Sequence, residues 1–196
     1  MLRPDSILAA KAELRRTVLQ RRDELDPEVR ASAAQAIAAH SLPVAVPSGA
    51  VVSGFSPIRS EINPMPLMRR LADAGAHLAL PTIVARGKPL CFRGWMFGEE
   101  LQRGQWGIRE PKSDARELHP DLVIAPLAAF DRQGTRLGYG AGYYDLTLTA
   151  LRATKPIIAV GIAYAMQEVD VVPALPHDVP LDLVLTERDV IDCRGA

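Results

Sequence analysis

The sequence predicts an α/β fold with a mainly parallel central sheet covered on both faces, leaving room for an antiparallel edge or hairpin. Three observations carry this. Short runs that are apolar throughout, such as Leu122–Ala125 (LVIA) and Ile157–Ile162, read as strands buried on both faces. Segments with helical spacing lie between them. A chain of 196 residues, 48% apolar and 23% charged, suits a single domain (1–196) with a sizeable core.

The elements follow in order. Asp5-Ser6 is a helix N-cap, and Ile7, Leu14, Val18 and Leu25 recur on one face of a helix ending near Leu25. Asp26-Pro27-Glu28 reads as cap, first helical position and acidic first turn of an alanine-rich helix reaching about His40. Ala50–Phe55 is a buried strand, and Ser56–Pro64 a loop. Met65–Ala74 is a helix that Gly75 ends. His77–Val84 is a strand, 86–89 a turn, and Leu90–Met96 a strand pairing back as a hairpin. Phe97–Arg116 is irregular. Leu122–Ala125 is a strand, with Leu127–Phe130 extending it beyond Pro126, and Asp131–Gly140 is a turn region. A helix runs from near Gly142 to about Ala153. Ile157–Ile162, Asp182–Thr186 and Val190–Cys193 are the last strands.

Charge and composition exclude several function classes. Lys plus Arg and Asp plus Glu are each 23, so no global positive field draws in nucleic acid or an anionic membrane. Cys91 and Cys193 read as free thiols of a reducing compartment, with no CxxC knuckle. The start, MLRPDSILAAKAELRR, has no signal-peptide h-region. The longest apolar stretch, Ile157–Met166, is about half a membrane span. The expectation is a cytoplasmic monomer acting on small molecules. No GxSxG and no HxxxH is present, so neither a serine hydrolase nor a zinc site is expected.

Ligands of such sheets bind beyond the carboxyl ends of strands, which directs attention to Ser56–Asn63 and Asp131–Asp145. In Arg136-Leu137-Gly138-Tyr139-Gly140-Ala141-Gly142-Tyr143-Tyr144-Asp145, three alternating glycines run into a helix. Glycine lets the backbone approach an anion, and a helix N-terminus offers unpaired N–H groups. Arg136 adds a charge, and Asp145 could hold Mg²⁺ against phosphates. The spacing is neither a Walker A loop nor GxGxxG. A tight glycine turn with Asp145 at the helix dipole is the plain alternative. Lys11 and Arg15 sit side by side on the flank of the first helix's apolar face, within reach of a triphosphate or simply snorkelling. Glu61 could accept hydrogen bonds from a polar ring, and Trp106 could stack on one. His177-Asp178 reads as a turn-forming aspartate beside a structural histidine, or as an acid–base pair.

Ala129–Asp145 (AFDRQGTRLGYGAGYYD) resembles the signature of the 5-formyltetrahydrofolate cyclo-ligase family. The resemblance extends through Lys11-x-x-x-Arg15, Ser56 to Glu61, Trp106-Gly107-Ile108, Asp121–Ile124 and Pro180-Leu181-Asp182, nearly the whole chain. It implies a three-layer α/β/α sandwich and an ATP- and Mg²⁺-dependent closure of 5-formyltetrahydrofolate to 5,10-methenyltetrahydrofolate. In that chemistry the formyl oxygen attacks the γ-phosphate, N10 closes the ring, and phosphate leaves. Carried over by position, ATP would be bound by Lys11, Arg15, Arg136, Leu137, Gly138, Tyr139, Gly140, Ala141, Gly142, Tyr143 and Tyr144. Ser56, Glu61, Tyr139 and Tyr143 would contact the folate, with Trp106 as a stacking wall. Arg136, Lys11 and Tyr143 are the candidate catalytic residues, and Asp145 and Asp182 the metal ligands. Asp182 precedes its strand, so it meets Asp145 only if that strand runs antiparallel. The competing readings are a sugar-phosphate isomerase or acyl-CoA transferase on a related fold, and a folate-binding protein without turnover.

Overall fold

The computed structural model describes residues 4–195. Its centre is a seven-stranded sheet. The strands are β1 (Val51–Ser53), β2 (His77–Thr82), β3 (Cys91–Gly94), β6 (Leu122–Ala125), β9 (Ile158–Ile162), β10 (Leu183–Leu185) and β11 (Val190–Asp192), in the order β11-β10-β9-β6-β1-β2-β3. The five inner strands are parallel, and both edge strands, β3 and β11, run antiparallel to their neighbours. A parallel centre needs cover on both faces, which explains strands without polar alternation.

The strand period of two sorts side chains by size. One face carries Leu78, Leu80, Leu122, Ile124, Val160, Ile162, Leu183 and Leu185 against α2 (Pro27–Ala39) and α3 (Met65–Asp73). The other carries Ala79, Val123, Ala125, Ala159 and Val184 against Leu148 of α4 (Tyr143–Arg152). Large residues thus meet the alanine-rich α2, while small ones let α4 lie close. The three layers follow from this sorting. The first helix, α1 (Pro4–Asp23), joins neither layer. Its Val18 packs on Ala128, Ala129, Leu137 and Val172, across the carboxyl side of the sheet.

Differences from the sequence reading are local. Asp5 and Ser6 lie inside α1, because Pro4 takes the first helical position. Asp26 makes no side-chain cap. The expected extension of β6 beyond Pro126 is a separate hairpin, β7 (Ala129–Phe130) with β8 (Arg136–Leu137). Asp131 closes its turn by accepting from the N–H groups of Gln133 and Thr135. The stretch 97–116 holds a second hairpin, β4 (Gln102–Arg103) with β5 (Arg109–Glu110). No described helix is long and apolar enough to cross a membrane.

Candidate active site

At the carboxyl ends of β1, β2 and β6 lies a cavity of about 790 Å³. α1 contributes Leu8, Lys11 and Arg15 to its wall, and the segment after β1 contributes Phe55, Ser56, Ile58 and Glu61. The β4–β5 hairpin supplies Trp106, Ile108 and Glu110, and the glycine loop with the start of α4 supplies residues 136 to 146. Leu175, His177 and Asp178 complete it.

The glycine loop is shaped by its own backbone. Gly140 and Gly142 have φ of 100° and 71°, a left-handed region where a Cβ is strained. Gly142 is the N-cap of α4 and supplies no capping side chain, so the first amides of the helix keep their donors. The loop is pinned from α1, where Arg15 Nε donates to the carbonyl of Gly138 at 2.7 Å.

Arg136 is buried, and its Nη2 donates to Asp145 Oδ1 at 2.7 Å. Its guanidinium carbon lies 5.8 Å from the centre of the Tyr144 ring. Burial pushes the Tyr144 hydroxyl well above its ordinary pKa, and the charge of Glu61 pushes the same way against Arg136. Two buried polar atoms here, Arg136 Nε and Tyr143 Oη, have no hydrogen-bond partner. Buried polar groups are nearly always satisfied, so these two are exceptions among the described residues. Trp106 is 70% exposed with φ of 54°, and its ring centre stands 5.9 Å from that of Tyr143. A left-handed aromatic residue is strained backbone, of the kind that clusters at binding sites.

Glu61 Oε2 accepts from the N–H of Ile58 at 2.8 Å. Burial pushes its carboxyl up. The Ile58 N–H, the Tyr139 hydroxyl and the charge of Arg22 pull it back. Ser56 donates to the carbonyl of Arg109 at 2.5 Å, tying this segment to the β4–β5 hairpin.

The structure therefore brings Lys11, Arg15, Ser56, Glu61, Trp106 and Arg136–Asp145 to one cavity. It does not bring Asp182 there. β10 runs parallel to β9, so Asp182 stands at the amino end of the sheet. It accepts from Arg152 at 2.8 Å and from the N–H of Ala159 at 2.7 Å. Arg152 is the last residue of α4 and Asp145 lies in its first turn, seven residues and roughly 10 Å apart along the axis. Asp182 is a clamp on the far end of α4.

The other carboxylate that shares the cavity wall with Asp145 and Glu61 is Asp178, which the sequence reading placed in a turn. The turn is there, since Asp178 accepts from the N–H of Leu175 at 2.6 Å. The same carboxylate also pairs with Lys11 at the cavity wall. Val179, the next residue, donates its N–H to Asp145 Oδ1 at 3.0 Å, which ties this segment to the start of α4. Arg22, also passed over, lies behind Glu61. The signal for Asp178 was the polar His177-Asp178 pair in an otherwise apolar LPHDVPL.

The profile of the 5-formyltetrahydrofolate cyclo-ligase family matches residues 7–187. The chain belongs to the 5-formyltetrahydrofolate cyclo-ligase family. The 5-formyltetrahydrofolate cyclo-ligase of Mycolicibacterium smegmatis is 34% identical over 193 residues, covering 94% of this chain and 98% of the relative. That of Escherichia coli K12 is 34% identical over 184 residues, 88% of this chain and 98% of the relative. The solved 5,10-methenyltetrahydrofolate synthetase of Aquifex aeolicus superposes with a TM-score of 0.75 at 28% identity, over 95% of this chain and 94% of that one. The synthetase of Mycoplasma pneumoniae gives 0.70 at 25% identity, over 90% and 98%. The chain is an enzyme of this cyclo-ligase family.

Proposed function

We propose that the enzyme closes 5-formyltetrahydrofolate to 5,10-methenyltetrahydrofolate, consuming ATP. The observation that carries this is one cavity lined by three cationic side chains, a bare helix N-terminus and a carboxylate-bearing loop. The first two suit a polyphosphate. Glu61, between Phe55 and Ile58 and the aromatic Trp106, suits a flat ring carrying N–H donors.

The reaction needs no protein nucleophile. The formyl oxygen attacks the γ-phosphorus, ADP departs, N10 attacks the activated carbon and gives up its proton to solvent, and inorganic phosphate leaves with the former formyl oxygen. Phosphoryl transfer of this kind relies on positioning and charge stabilisation. Arg136, held by Asp145, places its positive charge at the cavity wall beside the transferring group. The α4 amides and Arg15 hold the remaining phosphates. Tyr143 lines the wall beside them, and Lys11 neutralises charge once released from Asp178. The Trp106 hairpin covers the ring and excludes water.

Mg²⁺ fits this donor set. Asp145 Oδ2 and Asp178 Oδ1 make no hydrogen bond to any described residue. One or two carboxylates plus phosphate oxygens are the usual surroundings of this ion. Bound there, Mg²⁺ would supply charge neutralisation on the phosphates, and Asp178 would exchange its Lys11 partner for the metal.

The test is the absorbance of the methenyl product from purified protein with 5-formyltetrahydrofolate and Mg²⁺, with and without ATP. Product forms only with ATP, and Arg136→Ala lowers turnover about 10²–10³-fold, the usual loss for one charge-stabilising donor. Product without ATP, or full activity in Arg136→Ala, overturns this reading. Binding of the folate without ADP formation would point to a carrier instead.

A further inference from the structure

Arg22 lies in the last turn of α1 and is 3% exposed. It is absent from the cavity wall. Among the described residues it forms no ion pair. A buried cation without a carboxylate partner is costly unless its hydrogen bonds are good and its charge acts on something nearby.

Its hydrogen bonds reach two separate segments. Nε donates to Ser60 Oγ at 3.0 Å, in the loop after β1. Nη1 donates to Tyr139 Oη in the glycine loop, and the guanidinium carbon stands 5.7 Å from the centre of that ring. Ser60 in turn donates to Asp23, back on α1. Only a planar fork can serve both acceptors with fixed directions, which an ammonium group does not do. Glu61 is adjacent to Ser60 and shares the cavity wall with Tyr139, whose hydroxyl donates to the carbonyl of Leu127 at 3.4 Å. Tyr139 is 38% exposed and lines the cavity.

We propose that Arg22 is a positioning residue for Glu61: through Ser60 and Tyr139 it locks the post-β1 loop to the glycine loop and so sets the affinity for the folate ring. This rests on the folate reading of the cavity. The electrostatics agree, since Arg22 and the Tyr139 hydroxyl both favour the charged form of Glu61 against the effect of burial. Burial also keeps Tyr139 protonated, hence able to donate. The nucleotide contacts arise from the loop backbone, Arg15 and Arg136, and do not run through Arg22.

The experiment uses full-length Arg22→Gln, Arg22→Lys, Tyr139→Phe and the double variant Arg22→Gln/Tyr139→Phe. KM for 5-formyltetrahydrofolate, KM for ATP and Tm are measured on each. Arg22→Gln and Tyr139→Phe each raise the folate KM about tenfold, the loss typical of a hydrogen bond to a charged group. The ATP KM moves less than about twofold, as for contacts that do not share partners. The double variant is no worse than the poorer single, because both act through one path. Arg22→Lys recovers part of the charge effect and none of the fork. Equal rises in both KM values, single effects that multiply in the double, or an unchanged folate KM would each overturn the proposal. Tyr139→Phe removes one hydroxyl from a half-open side chain, so it decides the matter even if the Arg22 variants do not fold. Wild-type enzyme that neither binds nor turns over 5-formyltetrahydrofolate overturns the functional reading itself, and with it this one.

Discussion

Glu61 is a carboxylate whose environment works against its charge. Burial raises its pKa above that of an exposed glutamate, with the Ile58 N–H and Tyr139 opposing. The charged form accepts N–H donors, so affinity is full above the raised pKa and is lost as pH falls through it. The folate KM should therefore begin to climb on acidification at a higher pH than solvent-exposed glutamates titrate, checked by KM profiles from about pH 5 to 7. Glu61→Gln removes that limb and weakens the folate about 10–100-fold at neutral pH; a limb that persists in the variant would assign it elsewhere. Glu61, Arg136 and the glycines were legible in the sequence because each is a chemical type with few plausible uses at a strand or helix end. Arg22 and Asp178 were not, because what distinguishes them is their partner. Arg22 is one of 19 arginines, and its meaning comes from Ser60 and Tyr139, 38 and 117 residues away.

At the scale of elements, α4 decides between the two acidic candidates. Its first turn holds Asp145 and its last residue holds Asp182 through Arg152. Asp178→Asn should raise the Mg²⁺ concentration needed for half-maximal rate about tenfold or more, since a carboxylate ligand is lost. Asp182→Asn should leave that concentration unchanged and lower Tm, because it unpairs a half-buried arginine. Mg²⁺ titrations of both variants check this, and a reversal of the two would return Asp182 to the metal. The apolar runs exposed the inner strands and their order of appearance, but not their ends. β1 is three residues rather than six: Ala50 precedes the ladder, Gly54 keeps one last bond to Ala79, and Phe55 turns into the cavity wall. The short hairpins were hidden for a different reason. A two-residue strand has no periodicity to read, and β7–β8 is defined by the Asp131 turn rather than by any apolar run.

For the whole molecule, the uneven sizes on the two sheet faces set how close α4 stands, and hence where its N-terminus meets the cavity. Gly161 is the tightest point of that face. A Cβ there would lie 2.5 Å from Leu181 Cδ1 and 2.8 Å from Leu127 Cδ2. Gly161→Ala should cost about 1–3 kcal/mol of stability through overpacking, a fall of roughly 2–12 °C in Tm for a chain of this size. Thermal unfolding measures it, and an unchanged Tm would mean that both leucines yield freely. The α1 helix has the longest reach of any element. Its Lys11 meets Asp178 across 167 residues of chain. During synthesis at about 5–20 residues per second, α1 leaves the ribosome roughly 8–33 s before that partner is made. The residues on which Val18 rests, Ala128, Ala129, Leu137 and Val172, are likewise made long after α1. The wall that α1 gives the pocket is thus completed late, and a chain stalled before residue 178 would carry every strand up to β9 yet lack the partner of Lys11.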